Sequence, residues 1–135
     1  MVEVIQTGNT EIDHYFASQV PHFSLALIAL RQQLLPLLPD HIEVMSYAMP
    51  GFRQPGPKGK MVIGYAAFTH HLGLYPHSGS IIPQIDCAPF KTSKSGVLFT
   101  PDTPLPDALL ETILRLRQAE IAAGHGAKPQ PPPPA

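Results

Sequence analysis

The residues best suited to chemistry are cations in the middle of the chain. Arg53, Lys91, Ser93 and Lys94 form a candidate anion-binding set, because an arginine fork and lysine point charges bind carboxylate or phosphate well. The run Lys91-Thr92-Ser93-Lys94-Ser95-Gly96 adds hydroxyls and a glycine, through which backbone N–H groups can join. It is not a nucleotide-binding loop, because the order Gly-x-x-x-x-Gly-Lys is absent. The seven histidines (His14, His22, His41, His70, His71, His77 and His125) include no His-Glu-x-x-His pair. His70 and His71 are adjacent, so on an extended strand they point to opposite faces and do not share an ion. His71 and His77 flank Tyr75 and converge only with outside help. Spacing supplies Cys87 with neither a base nor an orienting group. No Gly-x-Ser-x-Gly elbow is present, and no paired acids stand out. Covalent catalysis is not expected.

Charge is unevenly spread. Residues 1–43 hold five acids (Glu3, Glu11, Asp13, Asp40, Glu43) and one base, Arg31. Residues 44–101 hold five bases (Arg53, Lys58, Lys60, Lys91, Lys94) and one acid, Asp86. Mutual neutralisation across the fold is one reading, and an anion-binding patch is the other. The whole chain of 135 residues has nine basic and ten acidic residues and a net charge of -1, which argues against a nucleic-acid binder. With 44% hydrophobic and 14% charged residues, it reads as a single globular domain. One cysteine excludes an intramolecular disulfide and a Cys-rich zinc site. The start, Met1 to Thr7, lacks the basic n-region of a signal peptide. The longest apolar stretch, Phe23 to Leu30, is far short of the roughly 20 residues of a bilayer span. A cytoplasmic protein without a membrane partner is expected.

These residues need elements to position them. Asn9 or Thr10 caps a helix through Ser18, with Thr10 and Asp13 spaced like a capping box. Phe23, Leu27, Leu30 and Leu34 recur at helical spacing from His22 to Leu35, before Pro36 and Pro39. Ile42 to Tyr47 is a short segment whose type the pattern leaves open, a strand being one reading. Pro50 to Gly59, with three prolines and three glycines, reads as loop. Met61–Phe68 and His71–Tyr75 read as a β-hairpin, its loop being Thr69-His70 or a longer four-residue connection. Ser80 caps a short helix from Ile81 to about Cys87. Gly96 to Thr100 is a strand, and residues 100–104 turn. A last helix runs from Pro106-Asp107 to about Ala123, where Gly124 ends it. Residues 1–9 form an N-terminal extension. Residues 124–135 form a proline-rich tail, expected to be extended or disordered.

A two- or four-residue hairpin loop sets the parity of the facing strands. Ile63, Tyr65, Ala67, Leu72 and Leu74 then share a bulky apolar face that packs under the helices. Gly64, Ala66, Phe68, His71, Gly73 and Tyr75 share the other. Small residues flanked by Phe68, His71 and Tyr75 make a shallow depression that a ligand or a helix fills.

Four segments in order carry a resemblance. They are Met45-Ser46-Tyr47-Ala48-Met49-Pro50-Gly51-Phe52-Arg53; Ala66-Ala67-Phe68-Thr69-His70-His71-Leu72-Gly73-Leu74-Tyr75-Pro76; Lys91-Thr92-Ser93-Lys94 with Phe99; and Pro104-Leu105-Pro106 followed by Leu114-Arg115-Leu116-Arg117. Together with Ile12-Asp13-His14-Tyr15-Phe16-Ala17, they resemble the bacterial DUF1801, or YdhG-like, family over residues 10–122. The resemblance implies an α+β fold, a single frataxin-like domain with an antiparallel sheet packed against N- and C-terminal helices. It also implies the signature residues Tyr47, Met49, Pro50, Phe52, Arg53, Phe68, His71, Tyr75, Pro76, Lys91, Ser93 and Lys94. One branch of the family is described as an intracellular iron chaperone for Fe–S and haem assembly, which implies iron as cargo and iron-using assembly proteins as partners. Here the first helix offers only Glu11, Asp13 and His14 as candidate ligands, and the second no acid at all.

On these signature positions Phe52 and Tyr75 are expected to wall an apolar cleft, with Arg53, Lys91 and Lys94 ringing its mouth. The leading functional expectation is a non-catalytic binding protein for a small anionic or amphipathic ligand. Iron carriage is the second and a homodimeric interaction module the third.

Overall fold

The structure, a computed structural model, describes residues 7–124. The expectations for residues 1–6 and for the tail from 125 onward lie outside the described residues. Asn9 starts the first helix by accepting from the Ile12 N–H at 3.2 Å, which satisfies a donor that a helix start leaves open. Helix α1 runs Thr10–Ser18. The Thr10–Asp13 capping box does not form, because the Asp13 carboxylate accepts instead from the N–H and hydroxyl of Thr7, each at 2.8 Å. Helix α2, Pro21–Leu34, begins on a proline whose missing N–H is harmless in a first turn. Its end tightens into a 3-10 turn at Leu35–Leu37. The buried Ser24 hydroxyl donates to the Phe16 carbonyl and fixes α2 against α1.

Six strands follow: β1 Ile42–Ser46, β2 Met49–Arg53, β3 Met61–Ala67, β4 Leu72–Tyr75, β5 Lys91–Thr92 and β6 Val97–Phe99. They form one antiparallel sheet in the order β1-β2-β3-β4-β6-β5. Helix α3, Asp107–Ala122, closes the fold, and Gly124 follows it in the left-handed region at φ +82°. The expected α+β fold is the one observed.

Three local expectations are corrected. Residues 49–53 are strand rather than loop. Pro50 is tolerated there because pairing with β3 begins only at Gly51, so its missing N–H interrupts no ladder on that side. The helix expected over 81–87 is only a 3-10 turn, Ile82–Gln84, since the chain is already extended at Ile85. Strand β5, not expected at all, pairs Lys91 with Leu98 and Thr92 with Val97.

The β3–β4 hairpin closes through the two residues Thr69 and His70, with the Phe68 N–H donating to the His71 carbonyl at 2.8 Å. Its register, Gly64↔Tyr75 to Ala67↔Leu72, gives the expected parity. Phe52, Ile63, Tyr65, Leu72, Leu74, Val97 and Phe99 face the three helices and share their core. A buried guanidinium ties α3 to the sheet: Arg117 donates to the Met61 carbonyl and, at 2.8 Å, to Glu120. On the edge strand, Glu43 takes both carboxylate oxygens to Arg31 of α2, at 2.6 and 2.8 Å.

Candidate functional site

The sheet face away from the helices carries most of the signature residues. The ladders align Ala66, Gly73, Leu98 and Lys91 across β3, β4, β6 and β5. A neighbouring row aligns Gly51, Gly64 and Tyr75. Met49, Ala66 and Tyr75 form a second, smaller apolar cluster here, with Phe68 packed on it. Phe68 meets His71 at 5.1 Å between ring centroids and Tyr75 edge-on at 6.2 Å. Tyr47 stacks on His77 at 6.2 Å while remaining 48% exposed.

The depression expected over the small residues is occupied by the protein's own rings, neither by a helix nor left open. Tyr75 lies across Gly73 and Gly96. A Cβ at Gly73 would collide with Tyr75 Oη and sit 2.6 Å from Cζ, and one at Gly96 would collide with Cδ1 and Cε1. The His77 ring lies over Gly64, with Nε2 2.8 Å from where a Cβ would be. Hydrogen at these glycines is therefore what lets aromatic rings rest on bare backbone.

Phe52 and Arg53 do not contribute to this face. Phe52, 1% exposed, belongs to the helix-side core and does not wall a cleft. Arg53 Nη1 donates to the carbonyls of Gln54 and Gly56 at 2.9 and 2.8 Å, so it shapes its own loop. Strands β3, β4 and β6 separate its strand from Lys91, a span of roughly 19 Å. The single basic mouth expected from Arg53, Lys91 and Lys94 is not formed. The physical reason is strand order: residues 91–92 pair beyond β6, at the sheet edge opposite to β1.

What the structure does bring together lies at that edge. A cleft of about 660 Å³ is lined by His70, His71, Phe90, Lys91, Leu98 and Thr100, among others. On the other side of Phe90, a smaller cleft of about 420 Å³ holds Cys87, Ser93 and Lys94. Lys91 and Lys94 are both exposed. Of the cleft's lining, His71 and Lys91 were expected. Phe90, Leu98 and His70 were not, and the only signal for Leu98 was its place between the two inward residues Val97 and Phe99.

Burial sets the protonation of this face. It pushes the Tyr75 phenol up to about 12, and in the helix-side core it pushes the Cys87 thiol up, with Asp86 adding to the effect. It pushes the His77 imidazole down to about 4, with the Arg117 guanidinium acting in the same direction. Tyr75 Oη, His77 Nε2 and Ser93 Oγ are buried without a hydrogen-bond partner among the described residues.

Among the described residues no group of three His, Cys, Asp or Glu side chains is placed to hold a metal ion, and Asp13 is engaged by Thr7. No described helix is long and apolar enough to cross a membrane.

Neither a protein-family model nor a curated protein matches the sequence. Among solved structures, the chain is similar to the crystal structure of a DUF1801-family protein, YdhG, from Bacillus subtilis. The TM-score is 0.73 at 16% sequence identity, over 84% of this chain and 92% of that one.

Proposed function

With a DUF1801/YdhG-like fold as its frame, we propose that the chain is a non-catalytic binding protein for an amphipathic anion. The ligand lies in the cleft between the β3–β4 turn, β6 and β5. One observation carries the reading: a concavity of about 660 Å³ joins the apolar side chains of Phe90 and Leu98 to the ammonium of Lys91 and the imidazoles of His70 and His71. That volume falls in the range of small-molecule sites, roughly 300–1,000 Å³, which are mostly apolar with a few placed polar groups. Phe90 and Leu98 take the apolar body. Lys91 supplies a point charge on a flexible stem, and Thr100 and Thr103, whose hydroxyls lie 2.9 Å apart, add polar atoms at the margin.

Fluorescence titration with an anilinonaphthalenesulfonate dye tests this. Saturable one-to-one binding is expected, abolished by Leu98→Arg and weakened roughly tenfold by Lys91→Ala at low salt, with less weakening at high salt. Leu98 is half-buried and points away from the core, so Leu98→Arg leaves the fold intact. Dye binding by Leu98→Arg equal to that of the unaltered protein refutes the reading.

A further inference from the structure

Among the described residues the sheet ends in β5, with no strand beyond it. The Ser93 N–H donates to the Gly96 carbonyl at 2.9 Å, so Ser93 and Gly96 are a hydrogen-bonded pair. Along an antiparallel ladder such pairs alternate with open ones. Lys91 with Leu98 is then hydrogen-bonded, and Thr92 with Val97 is open. The N–H and C=O of Thr92 therefore point out of the sheet, at a residue that is itself exposed. The opposite edge is better covered: on β1 the Asn9 side chain donates to the Glu43 carbonyl.

The two clefts flank this free edge, one on each side of the sheet. The wider one holds Lys91 and Leu98, which project from the helix-free face. The smaller one reaches Ile82 and Cys87 of the helix-side core and also holds Thr92 and Lys94. Phe90 lines both. Successive side chains of a strand point to opposite faces. An extended segment laid along β5 thus presents one side chain to the wider cleft and the next to the smaller. Each cleft brings one lysine to it. The single acid lining either cleft, Asp86, accepts from the Ala88 N–H at 3.1 Å.

We propose that the free edge of β5 takes an extended acidic segment of a partner protein, added to the sheet as a further strand. This rests on the cleft reading above and names the class of the amphipathic anion. Thr92 exchanges backbone hydrogen bonds with the segment. One apolar side chain of the segment packs on Phe90 and Leu98, its neighbour enters beside Ile82, and flanking carboxylates meet Lys91 and Lys94. In strand addition of this kind, main-chain bonds give affinity and the pockets for alternate side chains give specificity. An edge only two residues long and carrying a lysine does not template pairing by itself, so the clefts select the partner. A second copy of the chain is disfavoured, because it would set lysines against lysines across the new pair.

The test is calorimetric titration of the full chain with the end-capped peptide Glu-Glu-Phe-Val-Glu-Glu. Saturable one-to-one binding is expected, about tenfold or more weaker for the charge-reversed peptide Lys-Lys-Phe-Val-Lys-Lys. Thr92→Pro removes the outward N–H, and an edge strand accepts proline where its N–H faces solvent. It is expected to weaken the acidic peptide about tenfold, while dye binding in the wider cleft and the thermal midpoint stay unchanged. A second measurement needs no variant: hydrogen exchange at the Thr92 amide should slow about tenfold or more when the acidic peptide saturates the unaltered protein. Should the midpoint of Thr92→Pro fall, the exchange rate alone decides. Absence of acidic-peptide binding, equal binding by a stably folded Thr92→Pro, or an unchanged Thr92 exchange rate each overturns strand addition, and the cleft reading stands as long as the dye still binds. If the unaltered protein binds neither peptide nor dye, the two fall together.

Discussion

Replacing Gly73 with alanine puts a methyl group where the Tyr75 ring already lies. The new Cβ would sit 2.6 Å from Tyr75 Cζ and 2.7 Å from Cε2, and closer still to the hydroxyl. Carbon atoms prefer roughly 3.5 Å or more, so the ring must lift by about 1 Å. It is held down by Met49, Ala66 and Phe68, and overpacking of this kind costs about 1–3 kcal/mol. Gly73→Ala should therefore destabilise the protein by about 2 kcal/mol. The three nearest atoms all belong to Tyr75, so the penalty should vanish once that ring is removed. In a Tyr75→Ala background the added methyl has room, and alanine is preferred over glycine inside a strand by roughly 0.5–1 kcal/mol. Gly73→Ala should be neutral or stabilising there. The coupling energy of the cycle is then about 2–3 kcal/mol, at the upper end for contacting residues. Urea denaturation of the four proteins measures it, with the denaturant slope unchanged as the check that only stability has moved. Equal costs in the two backgrounds, within about 0.5 kcal/mol, would show that the ring does not rest on Gly73 and would refute the account of this face.

Two further predictions concern stability. Tyr15 Oη accepts from the Ala67 N–H at 2.9 Å, whereas Tyr65 Oη is buried with no partner. Tyr15→Phe should cost about 1–2 kcal/mol by orphaning a backbone donor, while Tyr65→Phe should be neutral or stabilising; thermal melts of both proteins check the contrast, and a larger loss for Tyr65→Phe contradicts it. His77 titrates near 4 in the folded protein against 6.5 when unperturbed, so the unfolded chain takes up the proton first. Stability should be full above about pH 6.5 and decline as the pH falls toward 4, with about 2 kcal/mol lost by pH 5. His77→Asn tolerates the left-handed backbone at this position, φ 57°, and should flatten that decline; an unchanged profile in urea melts excludes His77 as the cause.

Periodicity and parity carried much of the fold in advance. The spacing of Phe23, Leu27, Leu30 and Leu34 marked α2, and counting across Thr69-His70 separated the inward set around Tyr65 and Leu74 from the outward set around Ala66 and Gly73. Both are local properties. The β1–β2 hairpin was not legible, because its two-residue turn is Tyr47-Ala48, at φ 53° and 61°. That mirror-image turn is normally announced by Asn-Gly, and here it is made by residues that resist it by roughly 1–2 kcal/mol each. The candidate site failed for a different reason. Parity assigns a side chain to a face but not to a rotamer, so nothing in the spacing said that Tyr75 would fold over Gly73 and Gly96 instead of flanking them. Nor does spacing give strand order, which is what parts Arg53 from Lys91. The charge split between chain segments was real as arithmetic but did not translate into one basic rim.

The sheet also acts as a partition. Its backbone divides two clusters of buried side chains: one packed under the helices around Tyr65 and Leu74, the other, Met49, Ala66 and Tyr75, on the opposite face, where Tyr75 rests on glycines. Substitutions at Phe68 and Tyr75 therefore change the second cluster without removing a side chain from the first. The composition of that outer face is thus free to drift from one descendant of the chain to another while the architecture beneath stays fixed.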